Sequence, residues 1–119
     1  MIFKGFIIPH YVEKPWGYEN WIALTDKYAG KILHINKGKK LSLQYHIIKH
    51  ETLHIYSGTC NMTINGRTFL MNAGEVCDIP PGTIHRIEAI NECEIFEVST
   101  AELDDVIRIE DDYGRNSNL

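Results

Sequence analysis

Short hydrophobic runs, rich in Val, Ile, Thr, Tyr and Phe, recur along the chain between Gly, Asn and Pro residues. No window keeps apolar residues at helical spacing over three turns, so the pattern favours strands throughout. The runs predict eight strands, at residues 30–36, 41–46, 52–56, 60–64, 67–70, 76–79, 85–89 and 93–98. Their spacing of about ten residues is typical of an antiparallel sandwich or small barrel. We therefore expect an all-β fold.

Two local features add detail to this pattern. Asn65-Gly66 separates two of the predicted strands, and both residues tolerate the positive φ of a two-residue type I′ turn, which predicts a β-hairpin. The acidic segment at residues 102–115 has two interpretations, a short turn and strand or a solvated charge run.

Length and charge restrict the functions that need to be considered. The 119 residues predict a single domain over 1–119, with residues 1–12 as an N-terminal strand or arm. A net charge of -4 indicates no nucleic-acid partner. No apolar run approaches the ~18 residues of a membrane span, and the N-terminus is a poor export signal, so we expect a cytoplasmic protein.

The apolar start, residues 2–8, would pair with a neighbouring subunit, which predicts a homodimer.

Four residues have the spacing of a metal site. Gln44 and His46 are two apart in a strand pattern, so their side chains leave the same face. Glu51 begins the next strand, and His85 begins a later one after a proline-glycine turn. Imidazole nitrogens, a carboxylate and an amide oxygen form a mixed set that suits one divalent ion, zinc first, with iron, manganese or nickel as alternatives.

Two further observations concern possible chemistry beside this set. Glu97 lies in an otherwise apolar strand, where a carboxylate needs a cation or an inward position, so Glu97 is the candidate general base. The face on which it lies is left open by the sequence. His54 is three residues past Glu51, and strand alternation turns it to the opposite face.

The spacing of these residues resembles the paired motifs of the cupin superfamily. The first segment has Gln44-Tyr-His46, four residues, Glu51, six residues and Gly58. The second has, in order, Gly74, Pro80, Gly82, His85 and Asn91. The resemblance implies a small antiparallel jelly-roll β-barrel with the metal in its mouth.

A narrower resemblance covers nearly the whole chain beyond the first dozen residues. The strings Lys14-Pro-Trp-Gly-Tyr-Glu19, Leu41-Ser-Leu-Gln44, Ser57-Gly-Thr59, 79–86 and 110–115 are similar to the cupin domain of type II mannose-6-phosphate isomerases, which is often fused to a mannose-1-phosphate guanylyltransferase. That family's signature reads Q-x-H-x-H-R-x-E-H-W. This chain departs from it at four positions, Ile48, Lys49, Thr52 and Leu53.

The resemblance implies a metal-dependent aldose-ketose isomerase acting on a small sugar phosphate. The metal would make the proton on the carbon next to the carbonyl more acidic, and a carboxylate or histidine, with Glu97 as first candidate, would carry that proton to the neighbouring carbon. Lys31 and Arg86 are the candidate phosphate contacts, and with Glu97, Arg86 completes the predicted catalytic residues. The alternatives are a non-catalytic metal or sugar-binding module, which the lost signature residues favour, and an iron-dependent dioxygenase.

Overall fold

The computed structural model describes residues 10–117, which form eleven strands joined by turns and loops. The strands are β1 His10–Lys14, β2 Gly17–Leu24, β3 Ala29–Ile35, β4 Leu43–Tyr45, β5 Glu51–Ser57, β6 Thr59–Ile64, β7 Arg67–Asn72, β8 Val76–Ile79, β9 His85–Ala89, β10 Cys93–Ser99 and β11 Ile107–Glu110. They build two antiparallel sheets, in the orders β1-β2-β3-β10-β5-β8 and β11-β4-β9-β6-β7. The all-β prediction is confirmed. None of the described residues form a helix of the length and apolar character that a membrane span requires.

The eight predicted strands are all present, with ends that differ by at most two residues. The predicted hairpin joins β6 to β7, with Ile64 opposite Arg67. Asn65 has φ 48° and Gly66 has φ 84°, as a type I′ turn requires. In the acidic C-terminal segment, β11 forms the strand that was one of its two interpretations.

The first two strands, β1 and β2, were not predicted. β1 is an edge strand with mostly exposed side chains, and β2 carries the exposed apolar residues Ile22 and Leu24, which hide its alternation. Gly17 allows the hairpin to lie close against β3, because a Cβ there would lie 1.9 Å from the carbonyl oxygen of His34.

Only part of the predicted N-terminal arm can be described. Residues 10–12 belong to β1, which pairs with β2. Residues 1–9 lie outside the described residues, so the strand contributed by residues 2–8 and the homodimer inferred from it stay predictions.

The core lies between the two sheets, where alternate residues of each strand point inward. Leu33, Ile55, Met62 and Ile95 are at most 1% exposed. Burying a side chain of this size is worth about 1.5–3 kcal/mol. At one end of the interior the inward positions become polar, and Lys31 of β3 lies opposite Glu97 of β10 there. This polar end contains the candidate site.

Candidate metal centre and its pocket

Three of the predicted ligands converge at the polar end of the interior. One ligand atom from each of His46, Glu51 and His85 can be chosen so that all lie within 4.8 Å of one another. The Nε2 atoms of His46 and His85 lie 3.5 and 3.1 Å from Oε1 of Glu51. All three side chains are buried. The two separated motifs are thus brought together in space, and the binding of an ion by these residues stays a prediction.

The hydrogen bonds of the two imidazoles prepare them to bind a cation. Nδ1 of His46 lies 2.6 Å from the carbonyl oxygen of Asp105, and Nδ1 of His85 lies 2.8 Å from that of Thr83. A carbonyl only accepts, so each Nδ1 donates and, in the neutral ring, Nε2 keeps its lone pair. Both Nε2 atoms are buried without a hydrogen-bond partner. Two lone pairs facing the Glu51 carboxylate fit a divalent ion, which accepts such donors.

Gln44 lies beside this group on the same face. It is the direct cross-strand neighbour of His85 and lines the same pocket. Its Oε1 accepts a hydrogen bond of 2.6 Å from Oγ of Ser42, which orients the amide. Gln44 therefore adjoins the converging trio, and its role as fourth ligand stays a prediction.

Asp105 holds the loop between His46 and Glu51, and sequence reasoning did not single it out. Its carboxylate accepts hydrogen bonds from the backbone N–H groups of Ile47, Ile48 and Lys49, at 2.9, 2.6 and 2.8 Å. Its carbonyl oxygen orients His46. A single residue from the loop before β11 thus supports both a ligand and the segment that follows it.

A second buried carboxylate, Glu97, extends the site. Glu97 points inward, which settles the face that the sequence left open. Lys49 Nζ lies 3.0 Å from Oε2 of Glu97 and 3.2 Å from Oε2 of Glu51. Lys31 Nζ lies 4.0 Å from Oε2 of Glu97 and 3.5 Å from Oε1 of Glu19. Buried carboxylates and lysine ammonium groups therefore alternate in this part of the interior.

The pKa values of the two carboxyl groups diverge in this array. Burial alone would raise the pKa of Glu51, but hydrogen bonds from the two imidazoles in their protonated form, together with the charge of Lys49, hold it well below its usual range. Burial and the charge of Glu51 raise the pKa of Glu97, against the opposing effect of the lysines. Such a divergence assigns different tasks to the two groups, since Glu51 stays an anion and Glu97 is the stronger base.

A pocket that is partly open to solvent leads to this group. Its walls include Gln44, His46 and Glu97, together with Lys14 and Trp16 of the Lys-Pro-Trp-Gly string. The string thus contributes to the pocket wall, while Trp16 is also part of the core. Leu103 and Val106 form an apolar side of the entrance.

Lys31 and Arg86, the two predicted phosphate contacts, both form ion pairs with carboxylates of this chain. Lys31 is in the pocket, where it pairs with Glu19 and Glu97. Arg86 does not line the pocket that contains Lys31, and its Nη atoms are 3.5 Å from Glu110 and 3.8 Å from Asp112. Its Nε donates to the carbonyl oxygen of Leu41. Arg86 therefore ties β9 to the C-terminal segment.

Lys49 and Arg108 also line the pocket, and neither was among the predicted site residues. For both residues, the sequence contains a pattern that indicates an inward position. Lys49 is two residues before Glu51, so it shares that residue's parity. Arg108 lies within the apolar run Val-Ile-Arg-Ile, the same context that drew attention to Glu97.

The fold is that of solved cupin structures. An RmlC-like cupin from Shewanella frigidimarina has a TM-score of 0.75 at 10% identity, covering 85% of this chain and 94% of that one. KdgF from Halomonas sp. has a TM-score of 0.72 at 12% identity, covering 80% and 88%. Oxalate decarboxylase from Bacillus subtilis has a TM-score of 0.70 at 19% identity, covering 85% and 30%. The protein is a cupin jelly roll with a candidate metal centre.

Sequence comparison narrows this class. The family model described as mannose-6-phosphate isomerase C-terminal matches residues 7–111, and the chain belongs to this family. Mannose-1-phosphate guanylyltransferase ManC of Salmonella typhimurium is 35% identical over 109 residues, and alginate biosynthesis protein AlgA of Pseudomonas aeruginosa is 32% identical over 111. The alignments cover 87% and 89% of this chain, which spans 23% of the length of each relative.

Proposed function

We propose that this protein is a divalent-metal-dependent aldose-ketose isomerase that acts on a sugar phosphate of the mannose 6-phosphate type. Membership of the mannose-6-phosphate isomerase C-terminal family supports this substrate class. The observation that carries the proposal is the pair of buried Nε2 atoms without partners that face Glu51, with a second buried carboxylate, Glu97, in the same pocket. A purely structural histidine pair would have its polar atoms satisfied.

His46, Glu51 and His85 would hold the ion, with Gln44 as fourth ligand. Zinc is the first expectation from this set, and iron, manganese and nickel accept it too. A bound divalent ion would polarise the carbonyl and adjacent hydroxyl of an open-chain sugar, which acidifies the hydrogen on the hydroxyl-bearing carbon.

Glu97 is the proposed proton carrier. Its carboxylate would take the hydrogen from the hydroxyl-bearing carbon and return it to the neighbouring carbonyl carbon. Its raised pKa makes it a better base than an ordinary carboxylate. Lys49 donates a 3.0 Å hydrogen bond to Glu97, which keeps the carboxylate charged and oriented.

The departures from the family signature leave the polar interior intact, which also supports catalysis. Ile48 is 63% exposed, and Thr52 points away from the core and bonds to Asp78. Leu53 belongs to the apolar core. Lys49 retains a cation where the signature has Arg, and it is buried beside Glu97.

A binding module without catalysis is the second candidate, and the same lysine favours it. The ion pairs of Lys49 with Glu97 and Glu51 neutralise the carboxylates. In such a protein the ligand would bind while Glu97 stayed locked to Lys49.

Solvent deuterium exchange separates the two candidates. The metal-loaded protein is incubated with mannose 6-phosphate in deuterated water, and NMR follows the hydrogen on C2. We expect exchange by the wild type, loss of exchange and of metal in His85→Ala, and loss of exchange with metal retained in Glu97→Gln. His54→Gln, on the outer face of β5, is the matched control. Binding of mannose 6-phosphate without exchange under zinc, iron, manganese and nickel would contradict the proposal.

A further inference from the structure

The pocket above the candidate metal centre has more positive charge than its own acids account for. Five cationic side chains line it: Lys14, Lys31, Lys49, Arg108 and Arg115. Two carboxylates line it, Glu19 and Glu97. Such an excess in a half-enclosed space favours an anionic ligand.

Three of the five cations have acidic partners. Lys31 and Lys49 pair with the buried carboxylates, as described above. Arg115 makes a two-point contact with Asp111, with Nε at 3.0 Å and Nη2 at 2.9 Å from its oxygens. The remaining two, Lys14 and Arg108, make no ion pair within residues 10–117.

Arg108 is aligned with the candidate ligands across the sheet. In the register of β11 with β4 it lies opposite Gln44, and Gln44 in turn lies opposite His85. Directly opposite residues project from the same face, so Arg108 continues the row that His85 and Gln44 form across the sheet. Its Nε is buried and has no hydrogen-bond partner. A buried donor without a partner is costly, and a bound anion would satisfy it.

Lys14 lies close to this arginine on the opposite sheet. Burial lowers the pKa of Lys14, and Glu19 works against this. The charges of Lys31, Arg108 and Arg115 lower it further, because these cations surround it. Their mutual repulsion would be relieved by an anion between them.

The nearby acids do not supply that anion. Glu19 accepts a hydrogen bond from Nε1 of Trp21 at 2.8 Å and pairs with Lys31. Asp111 is bound by the side chain and backbone N–H of Arg115. The acids within reach therefore already have partners.

We propose that Arg108, with Lys14 of the same pocket, forms the subsite that binds the phosphate group of the substrate. This inference rests on the proposed function for the identity of the ligand. Arg108 is suited to the task because its planar guanidinium offers several donors to phosphate oxygens. A phosphate held by Arg108 would lie beside Gln44, the cross-strand neighbour of His85. The assignment replaces Lys31 and Arg86, whose charges already have acidic partners.

Calorimetric titration of the full chain with inorganic phosphate, mannose 6-phosphate and mannose tests the subsite. Metal-free protein is used first, so that contacts between phosphate and metal do not contribute, and zinc-loaded protein second. We expect Arg108→Gln to weaken both phosphorylated probes about tenfold to hundredfold and to leave metal content and mannose binding unchanged. Lys14→Gln should weaken them less, and Arg108→Lys should recover part of the loss.

Two other arginines provide the comparison. Arg67→Gln, on the exposed β7, is the matched control and should bind like the wild type. Wild-type phosphate affinity in Arg108→Gln, or a loss confined to Arg86→Gln, would overturn the proposal. If Arg108→Gln fails to fold, as judged by circular dichroism, Lys14→Gln and Arg108→Lys decide in its place.

The proposal of the phosphate subsite and the proposal of isomerase activity can be refuted independently. Arg108-dependent phosphate binding without deuterium exchange would refute the isomerase and leave the subsite standing. Exchange with an unchanged KM for mannose 6-phosphate in Arg108→Gln would refute the subsite and leave the isomerase standing.

Discussion

The two ends of the barrel interior are built from the same strands but have opposite character. In β10, Cys93 and Ile95 are inward at one end, and Glu97 and Ser99 are inward at the other. Three further strands change in the same way: Ile35 and Leu33 give way to Lys31 in β3, Ile55 and Leu53 to Glu51 in β5, and Ala89 and Ile87 to His85 in β9.

This contrast between the apolar and the polar end indicates that the two ends serve different purposes. The apolar end stabilises the fold through burial. The polar end removes several charges from water, and buried ion pairs rarely repay that cost in stability. Buried groups with displaced pKa values concentrate at functional sites. We therefore attribute the polar end to the proposed binding of an ion and a substrate, and the following variants test this division.

The largest expected effect comes from breaking the buried ion pairs. Lys49→Met leaves Glu97 and Glu51 without their closest cation, and we expect the free energy of unfolding to fall by about 3–5 kcal/mol. Urea denaturation measures it. Lys40→Met, which removes an exposed pair with Asp112, should cost less than about 1 kcal/mol. Similar losses of unfolding free energy in Lys49→Met and Lys40→Met would contradict the special role of the buried ion pairs.

A cavity at the apolar end should cost nearly as much stability and leave the site unchanged. Ile55 is 0% exposed, and Ile55→Ala is expected to lower the free energy of unfolding by about 2–5 kcal/mol. Ile90→Ala, at an exposed position, should change it by no more than about 0.5 kcal/mol. Zinc affinity of the folded Ile55→Ala protein should equal that of the wild type, and a large decrease would show that the two ends are not separable.

Asp105 is expected to contribute both to the stability of the fold and to metal binding. Asp105→Ala removes the acceptor for three backbone N–H groups, which should cost about 1–3 kcal/mol of stability. It also loosens the segment that holds His46, so zinc affinity should fall about tenfold to hundredfold. The exposed neighbour variant Asp104→Ala is the control. Unchanged zinc affinity in Asp105→Ala would mean that this loop does not position the ligand.

The smallest effect is expected from the Asp111–Arg115 pair, in which the Asp111 side chain is 0% exposed and that of Arg115 is 25% exposed. The hydrogen bonds from Arg115 hold the pKa of Asp111 below its usual value. The carboxylate therefore adds stability above about pH 4, and this contribution disappears as the pH falls through the lowered pKa. Asp111→Asn keeps one acceptor oxygen for Arg115, so it should be less stable than the wild type by about 1 kcal/mol at pH 7, with the difference shrinking in acid. A difference that grows on acidification would contradict this sign.

The sequence allowed much of this to be predicted, for reasons that lie in local patterns. Strand alternation and the two separated motifs were enough for the fold class, for eight strands and for the convergence of His46, Glu51 and His85. The role of Arg108 depends on the pairing of β11 with β4, which joins residues about sixty positions apart. The partners that neutralise Arg86 likewise come from the C-terminal segment. Contacts of this kind follow from topology, which no local pattern encodes.

Metal titration tests the central claim, that the polar end is a single-ion centre, most directly. Metal-free protein is titrated with zinc by calorimetry, and His85→Ala is compared with His54→Ala, whose histidine is on the outer face of β5. We predict one ion per chain for the wild type and for His54→Ala, and none held with comparable affinity by a folded His85→Ala. Equal zinc binding by the two variants, or no binding by the wild type, would contradict the account.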